Sequence, residues 1–241
     1  MKLHLARHGK AITFAGTKVL SHLGRRQARL LAKRLREDEG FSGPLLVSPY
    51  LHTLDTAAEM CELLKTRLRP VPELRERVDE TERCLLRQKG GGTLDHIRYL
   101  CGDLLMECRI PKRWWTYDVE SEEQMLERVG LFLDRLCPPK EDVLVVGHGG
   151  PIDAAIFYLM KKHEIAERYG VTERLDCAPA WNCDLSTFEF DGSGLRVLRV
   201  HDTAHLPDSW ITSNELSKEE ELSKYSGSLH VRVSSQTNEA L

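Results

Sequence analysis

The sequence has no apolar run approaching membrane-spanning length, no CxxC pair and no excess of either charge, and each absence removes a class of protein. Without a spanning run the expected partner is not a membrane. The seven cysteines (Cys61, Cys84, Cys101, Cys108, Cys137, Cys177 and Cys183) are an odd set without CxxC spacing, which fits reduced thiols better than a disulfide framework. Most read as small buried apolar side chains, although Cys84, Cys101 and Cys108 share one region and are a possible cluster. Lysine and arginine together number 34 against 37 aspartates and glutamates, so no basic footprint for nucleic acid exists and any anion site must be local. The opening MKLHLARHGK is too charged and too short in apolar residues for a secretory signal, and the expected location is cytoplasmic. The triple glycine Gly90-Gly91-Gly92 is followed by Thr93-Leu94, not the lysine and hydroxyl pair of a nucleotide-binding loop.

What is present is one grammatical unit written three times. Lys2 to Ala6 is a short apolar run broken by Arg7-His8-Gly9, after which Leu23, Leu30, Leu31 and Leu35 mark one stripe of a helix capped by Ser21 and ended by Gly40. Pro44 to Val47 leads through Ser48-Pro49 into a helix from about Leu51, with Leu54, Ala57, Ala58, Cys61 and Leu64 on one face. Val143 to Val146 leads through Gly147-His148-Gly149-Gly150 into a helix opening near Pro151. Met125, Val129, Phe132, Leu133 and Leu136 mark another amphipathic helix just before it. Late in the chain LSTFEF and LRVLRV flank Asp191-Gly192-Ser193-Gly194, a hairpin signature for a sheet edge. Strands alternating with helices imply an α/β fold, a three-layer sandwich whose mostly parallel central sheet has helices on both faces. An inserted cap over the strand ends is expected at about 77–120, within one domain spanning 1–214, followed by a polar tail at 215–241.

Open parallel sheets bind ligands beyond the carboxyl ends of their strands. Three such ends deliver Arg7 and His8, Ser48 and His52, and His148. Two histidines each followed by glycine, in matched settings, point to close approach of a ligand rather than to core imidazoles.

These residues also carry a family resemblance. Leu5-Ala6-Arg7-His8-Gly9, Leu20-Ser21-His22-Leu23-Gly24-Arg25-Arg26-Gln27-Ala28, Val47-Ser48-Pro49 with Thr56-Ala57, and Val146-Gly147-His148-Gly149-Gly150 follow the order of the histidine phosphatase superfamily, also called phosphoglycerate mutase-like. Asp202-Thr203-Ala204-His205-Leu206 resembles the closing signature of many of its phosphatase members. The resemblance implies a metal-independent phosphatase without cofactor, acting on a small phosphomonoester through a phosphohistidine. In that scheme His8 is the nucleophile, Arg7 grips the phosphate, His148 neutralises its charge if protonated, and Glu76, in Leu74-Arg75-Glu76, is acid and then base. The alternative for Glu76 is a solvated acid in a loop that also holds Asp79, Glu80 and Glu82.

One position departs from the family. Members usually carry a second phosphate-gripping arginine where this chain has His52, and an imidazole offers fewer donors and only conditional charge. That substitution keeps open a non-catalytic, phosphate-binding or regulatory role on the same fold. A phosphoglycerate mutase is disfavoured because Arg77-Val78-Asp79-Glu80 stands where mutases continue with an aromatic and glycine-containing signature. In the expected cap, Arg83, Arg87, Lys89, Arg98, Lys112 and Arg113 are basic, and Trp114 and Trp115 offer faces for stacking on a flat or sugar-like group as an alternative to core packing.

Overall fold

The computed structural model describes residues 1–14, 17–78, 97, 101–106, 119–171, 180–192, 194–213 and 216–217. Most of the expected cap, with Trp114, Trp115, Cys84 and Cys108, lies outside the described residues, as do Cys177 and most of the expected tail.

Six strands form the central sheet in the order β5-β4-β6-β1-β7-β8. They are β1 (Lys2–Arg7), β4 (Leu45–Val47), β5 (Leu68–Pro70), β6 (Val143–Gly147), β7 (Leu185–Asp191) and β8 (Gly194–Asp202). The first four of that order pair in parallel, and β7 and β8 complete the sheet antiparallel. The expected edge hairpin is therefore β7–β8. A smaller antiparallel hairpin, β2 (Ala11–Phe14) with β3 (Thr17–Leu20), follows directly on β1, and the sequence reading did not anticipate it. A two-residue pairing, β9 (Thr212–Ser213) with β10 (Leu216–Ser217), ends the described chain.

Period-two alternation along the central strands decides which side chain goes to which layer. Leu3 and Leu5 of β1, Val143 and Val145 of β6, and Leu46 of β4 face a core shared with α3 (Glu122–Leu136) and α4 (Gly149–Lys162). Their neighbours Ala6, Leu144, Val146, Leu45 and Val47 face a second core under α1 (His22–Glu37) and α2 (Leu51–Leu64). The sheet is thus buried on both sides, and each fully buried leucine contributes on the order of 2 kcal/mol.

Local chemistry sets the helix starts. The Ser21 hydroxyl accepts from Gly24 N at 3.0 Å and donates to Lys10 O at 2.7 Å, fixing the start of α1 to the loop after β1. Ser121 and Gln124 form a reciprocal capping box on α3. Gly9 and Gly24 meet backbone to backbone: a Cβ on Gly9 would stand 2.6 Å from Gly24 O, and one on Gly24 2.3 Å from Lys10 O. Helix α1 stops at Glu37, before Gly40, which has a φ of +63° in the following turn. Among the cysteines, Cys61, Cys101 and Cys183 are buried and Cys137 is partly so, all as free thiols. Among the described residues no helix is long and apolar enough to cross a membrane.

Candidate active site

The ends of β1, β4 and β6 open on the same side of the sheet, and their following loops bring three imidazoles together. The ring centroids of His8 and His52 are 4.3 Å apart, those of His8 and His148 5.4 Å, and those of His52 and His148 5.2 Å. All three rings are buried. One nitrogen from each lies within 4.8 Å of the other two, so the trio is also a candidate set of metal ligands.

Backbone geometry aims the rings. His8 N donates to Gly147 O at 2.9 Å, Asn182 Nδ2 donates to His8 O at 3.0 Å, and Gly9 N donates to Thr56 Oγ1 at 3.2 Å. The side chain of His8 uses Nδ1 on its neighbour's carbonyl, Gly9 O, at 2.7 Å. That bond requires a proton on Nδ1 and leaves the lone pair of a neutral ring on Nε2. His148 is the N-cap residue of α4, and its Nε2 is 2.8 Å from Ser48 Oγ. A hydroxyl both donates and accepts, so either His148 tautomer is satisfied there. His52 sits in the first turn of α2, with a backbone hydrogen bond to Lys18 on β3. The hairpin missed in the sequence therefore supplies one wall of the pocket.

Arg7 lies beside the trio, its Nη1 donating to Ala180 O at 2.6 Å and Ser213 Oγ at 2.8 Å. Its guanidinium carbon is 3.8 Å from where a Cβ on Gly149 would stand, so the small residue at the start of α4 lets this cation approach. Glu76 Oε2 is 3.7 Å from His148 Nδ1, and its Oε1 accepts from Arg77 N at 3.0 Å. The Glu76 carboxylate also lies over the first turn of α4, 3.3 Å from an added Gly150 Cβ. Glu76 is thus turned toward the trio rather than out of the loop.

A buried carboxylate the sequence reading missed supports this segment. Glu120 accepts from Arg128 at 2.5 and 2.7 Å and from Arg75 at 3.0 Å, while Arg128 Nη1 also donates to Glu73 O and Arg75 O. A second missed group underlies β1. Asp184 Oδ1 accepts from Arg7 N at 3.4 Å, and its Oδ2 accepts from Trp181 N at 2.9 Å and from His201 Nδ1 at 2.6 Å. His201, at a φ of 49°, also faces Asp153 at 3.3 Å. No motif marks the contacts from Arg75 to Glu120 and from Arg7 and His201 to Asp184, because they join residues far apart in sequence.

Electrostatics sets the charge of the trio before any ligand enters. In the ligand-free pocket, burial first, then His52, Arg7, Lys18 and Arg128, hold the His148 pKa well below its usual value. Burial, aided by Lys18 and Arg7, pushes His52 down to about 3. Burial, His52, Arg7 and His148 lower His8 in the same way. All three rings are uncharged at neutral pH. His201 is the opposite case: burial opposes its charge, but Asp184 and Asp153 overcome that and raise it to about 10.

Comparison with known proteins agrees with this fold. No curated protein matches the chain in sequence. Among solved structures, a mycobacterial glucosyl-3-phosphoglycerate phosphatase is similar at a TM-score of 0.56 and 18% identity, over 84% of this chain and 99% of that one. A phosphoserine phosphatase from Entamoeba histolytica, in complex with 3-phosphoglyceric acid, is similar at 0.54 and 19%, over 86% and 99%. The alpha-ribazole phosphatase from Shigella flexneri is similar at 0.53 and 18%, over 84% and 96%. At these identities the likeness concerns the fold. The model of the histidine phosphatase superfamily (branch 1) matches residues 3–203, and with the imidazoles of the RHG and GHGG elements meeting at one set of strand ends, the chain belongs to that superfamily.

Proposed function

We propose that the protein is a phosphatase that hydrolyses a small phosphomonoester through a phosphohistidine on His8. The observation that carries this reading is the bond from His8 Nδ1 to Gly9 O, which commits the remaining lone pair of a neutral ring to Nε2. Nε2 attacks phosphorus, and the bond from phosphorus to the ester oxygen breaks. Glu76, protonated, gives its proton to the leaving alkoxide. Water then attacks the phosphoryl group while Glu76, now a carboxylate, takes its proton. The bond from phosphorus to nitrogen breaks, inorganic phosphate leaves, and His8 regains its lone pair. Arg7 grips the phosphate oxygens as charge builds, and a dianion beside His148 draws a proton onto that ring. The nucleophile is an imidazole, so the chemistry needs neither metal nor cofactor.

His52 favours a second reading. An uncharged ring at that position weakens the hold on phosphate, which fits a phosphate-binding or regulatory protein without turnover. The two readings separate in one assay of aryl phosphate and several natural phosphomonoesters, in chelator, with wild type and His8→Ala. Turnover that survives chelation and falls at least about 10³-fold in His8→Ala supports the phosphatase. Phosphate binding without turnover overturns it in favour of the second reading.

A further inference from the structure

We infer that the three imidazoles of the pocket form a binding site for a divalent transition-metal ion of the zinc class, which occupies His8 Nε2 and so excludes phosphoryl transfer. The replacement of a guanidinium by His52 makes this geometry possible, because an arginine at that position offers no lone pair. With His52 in place, three ring nitrogens from three different strand ends lie within 4.8 Å of one another. A tetrahedral ion with nitrogen ligands at about 2.0–2.1 Å asks for about 3.3 Å between them. Shifts of roughly 1 Å or less per ring close that gap.

Each ring already has one nitrogen on an oxygen, as metal-bound histidines do. His8 uses Nδ1 on Gly9 O, His148 uses Nε2 on Ser48 Oγ, and His52 bonds the Lys18 backbone. In the metal-bound state Ser48 accepts the His148 Nε2 proton, which leaves the Nδ1 lone pair for the ion. Arg7 and Lys18 work against a cation here, whereas Glu76, 3.7 Å from His148 Nδ1, works for it. Three imidazoles with an open fourth position are a donor set for Zn²⁺, Co²⁺ or Cu²⁺ rather than Mg²⁺ or Ca²⁺. The binding site stands on this geometry alone, and only its inhibitory consequence rests on the phosphatase reading.

The test uses the full-length, untagged chain stripped with chelator and titrated with Co²⁺ under reducing conditions, with Zn²⁺ then added to displace it. The expected result is visible ligand-field absorption saturating at about one equivalent. Affinity is expected to fall at least about tenfold in both His52→Arg and His8→Gln, each checked for folding by circular dichroism. A near-ultraviolet thiolate band, no absorption, or absorption unchanged in both variants overturns the site. Aryl phosphate turnover by the chelated and the Zn²⁺-loaded wild type is measured alongside. Turnover in chelator that Zn²⁺ abolishes supports the inhibitory role, and turnover unaffected by bound Zn²⁺ overturns it. Cobalt binding without turnover in chelator leaves the site standing and removes the phosphatase reading. Turnover without cobalt binding does the reverse.

Discussion

Replacing His52 by arginine is the most informative single change in this pocket. The ring is buried, its centroid 4.3 Å from that of His8, and its pKa of about 3 leaves roughly one ring in ten thousand charged at pH 7. In the ligand-free pocket it therefore carries no positive charge. A guanidinium is charged at every accessible pH and presents a planar fork that matches phosphate oxygens. One charge-assisted contact formed in a transition state contributes on the order of 10²-fold in rate, or about 3 kcal/mol. Against that, the new cation is taken out of water and faces Arg7 and Lys18 in the empty pocket, a cost to stability that is relieved in part when a dianion enters. The expected outcome is a rise of about 10- to 100-fold in kcat/KM for aryl phosphate, with inorganic phosphate becoming a tighter competitive inhibitor. The assay is release of the aryl alcohol in chelator, with thermal midpoints recorded for both proteins. An equal or lower rate in a folded variant refutes the idea that His52 stands where a phosphate ligand is missing.

Two further perturbations test other parts of the site. If Glu76 protonates the leaving group, Glu76→Gln lowers kcat/KM for alkyl phosphates by about 10²- to 10⁴-fold but for nitrophenyl phosphate far less, since that leaving group departs without help; equal losses in kcat/KM on both substrates rule out the role. Stability should also peak a little above about pH 7, where the five protons refused by buried imidazoles balance the one held by His201. Below that value the unfolded chain takes up protons that native His4 (about 4), His52 (about 3), His205 (about 4), His8 and His148 refuse, so stability is lost as pH falls. Above it, His201 stays protonated in the native state up to about 10, so its contribution is lost as pH rises. Urea midpoints at pH 5, 6.5 and 9 check both arms, with a loss of at least about 2 kcal/mol expected between pH 6.5 and 5. A flat profile over that interval contradicts the neutral buried rings.

The sequence was readable where an apolar run ends in residues that cannot continue it. Val143 to Val146 followed by Gly-His-Gly-Gly, and Leu45 to Val47 followed by Ser-Pro, announce both a buried strand and the loop that carries a polar side chain beyond it. The spacing of Met125, Val129, Phe132 and Leu133 likewise determines the buried face of α3. Strand β5 escaped because its three residues include Arg69 and Pro70, and its pairing with β4 fixes it more than its composition does. The β2–β3 hairpin escaped because two four-residue strands carry too few alternations to stand out. The protonation of the trio was illegible for a different reason. Whether His148 carries a proton depends on how completely water is excluded and on Arg7, Lys18 and Arg128, which only the folded chain brings near it.

The contact between Gly9 and Gly24 has a mechanical consequence. With no side chain interposed, the polypeptide just beyond the nucleophile rests on the opening turn of the longest helix described, as a hinge pin rests in its socket. Any tilt of that rod must carry the attacking nitrogen with it. The helix is thereby a lever on reactivity as well as part of the scaffold, and a methyl group introduced at either glycine would prise the two apart and misdirect His8 while leaving its own chemistry intact.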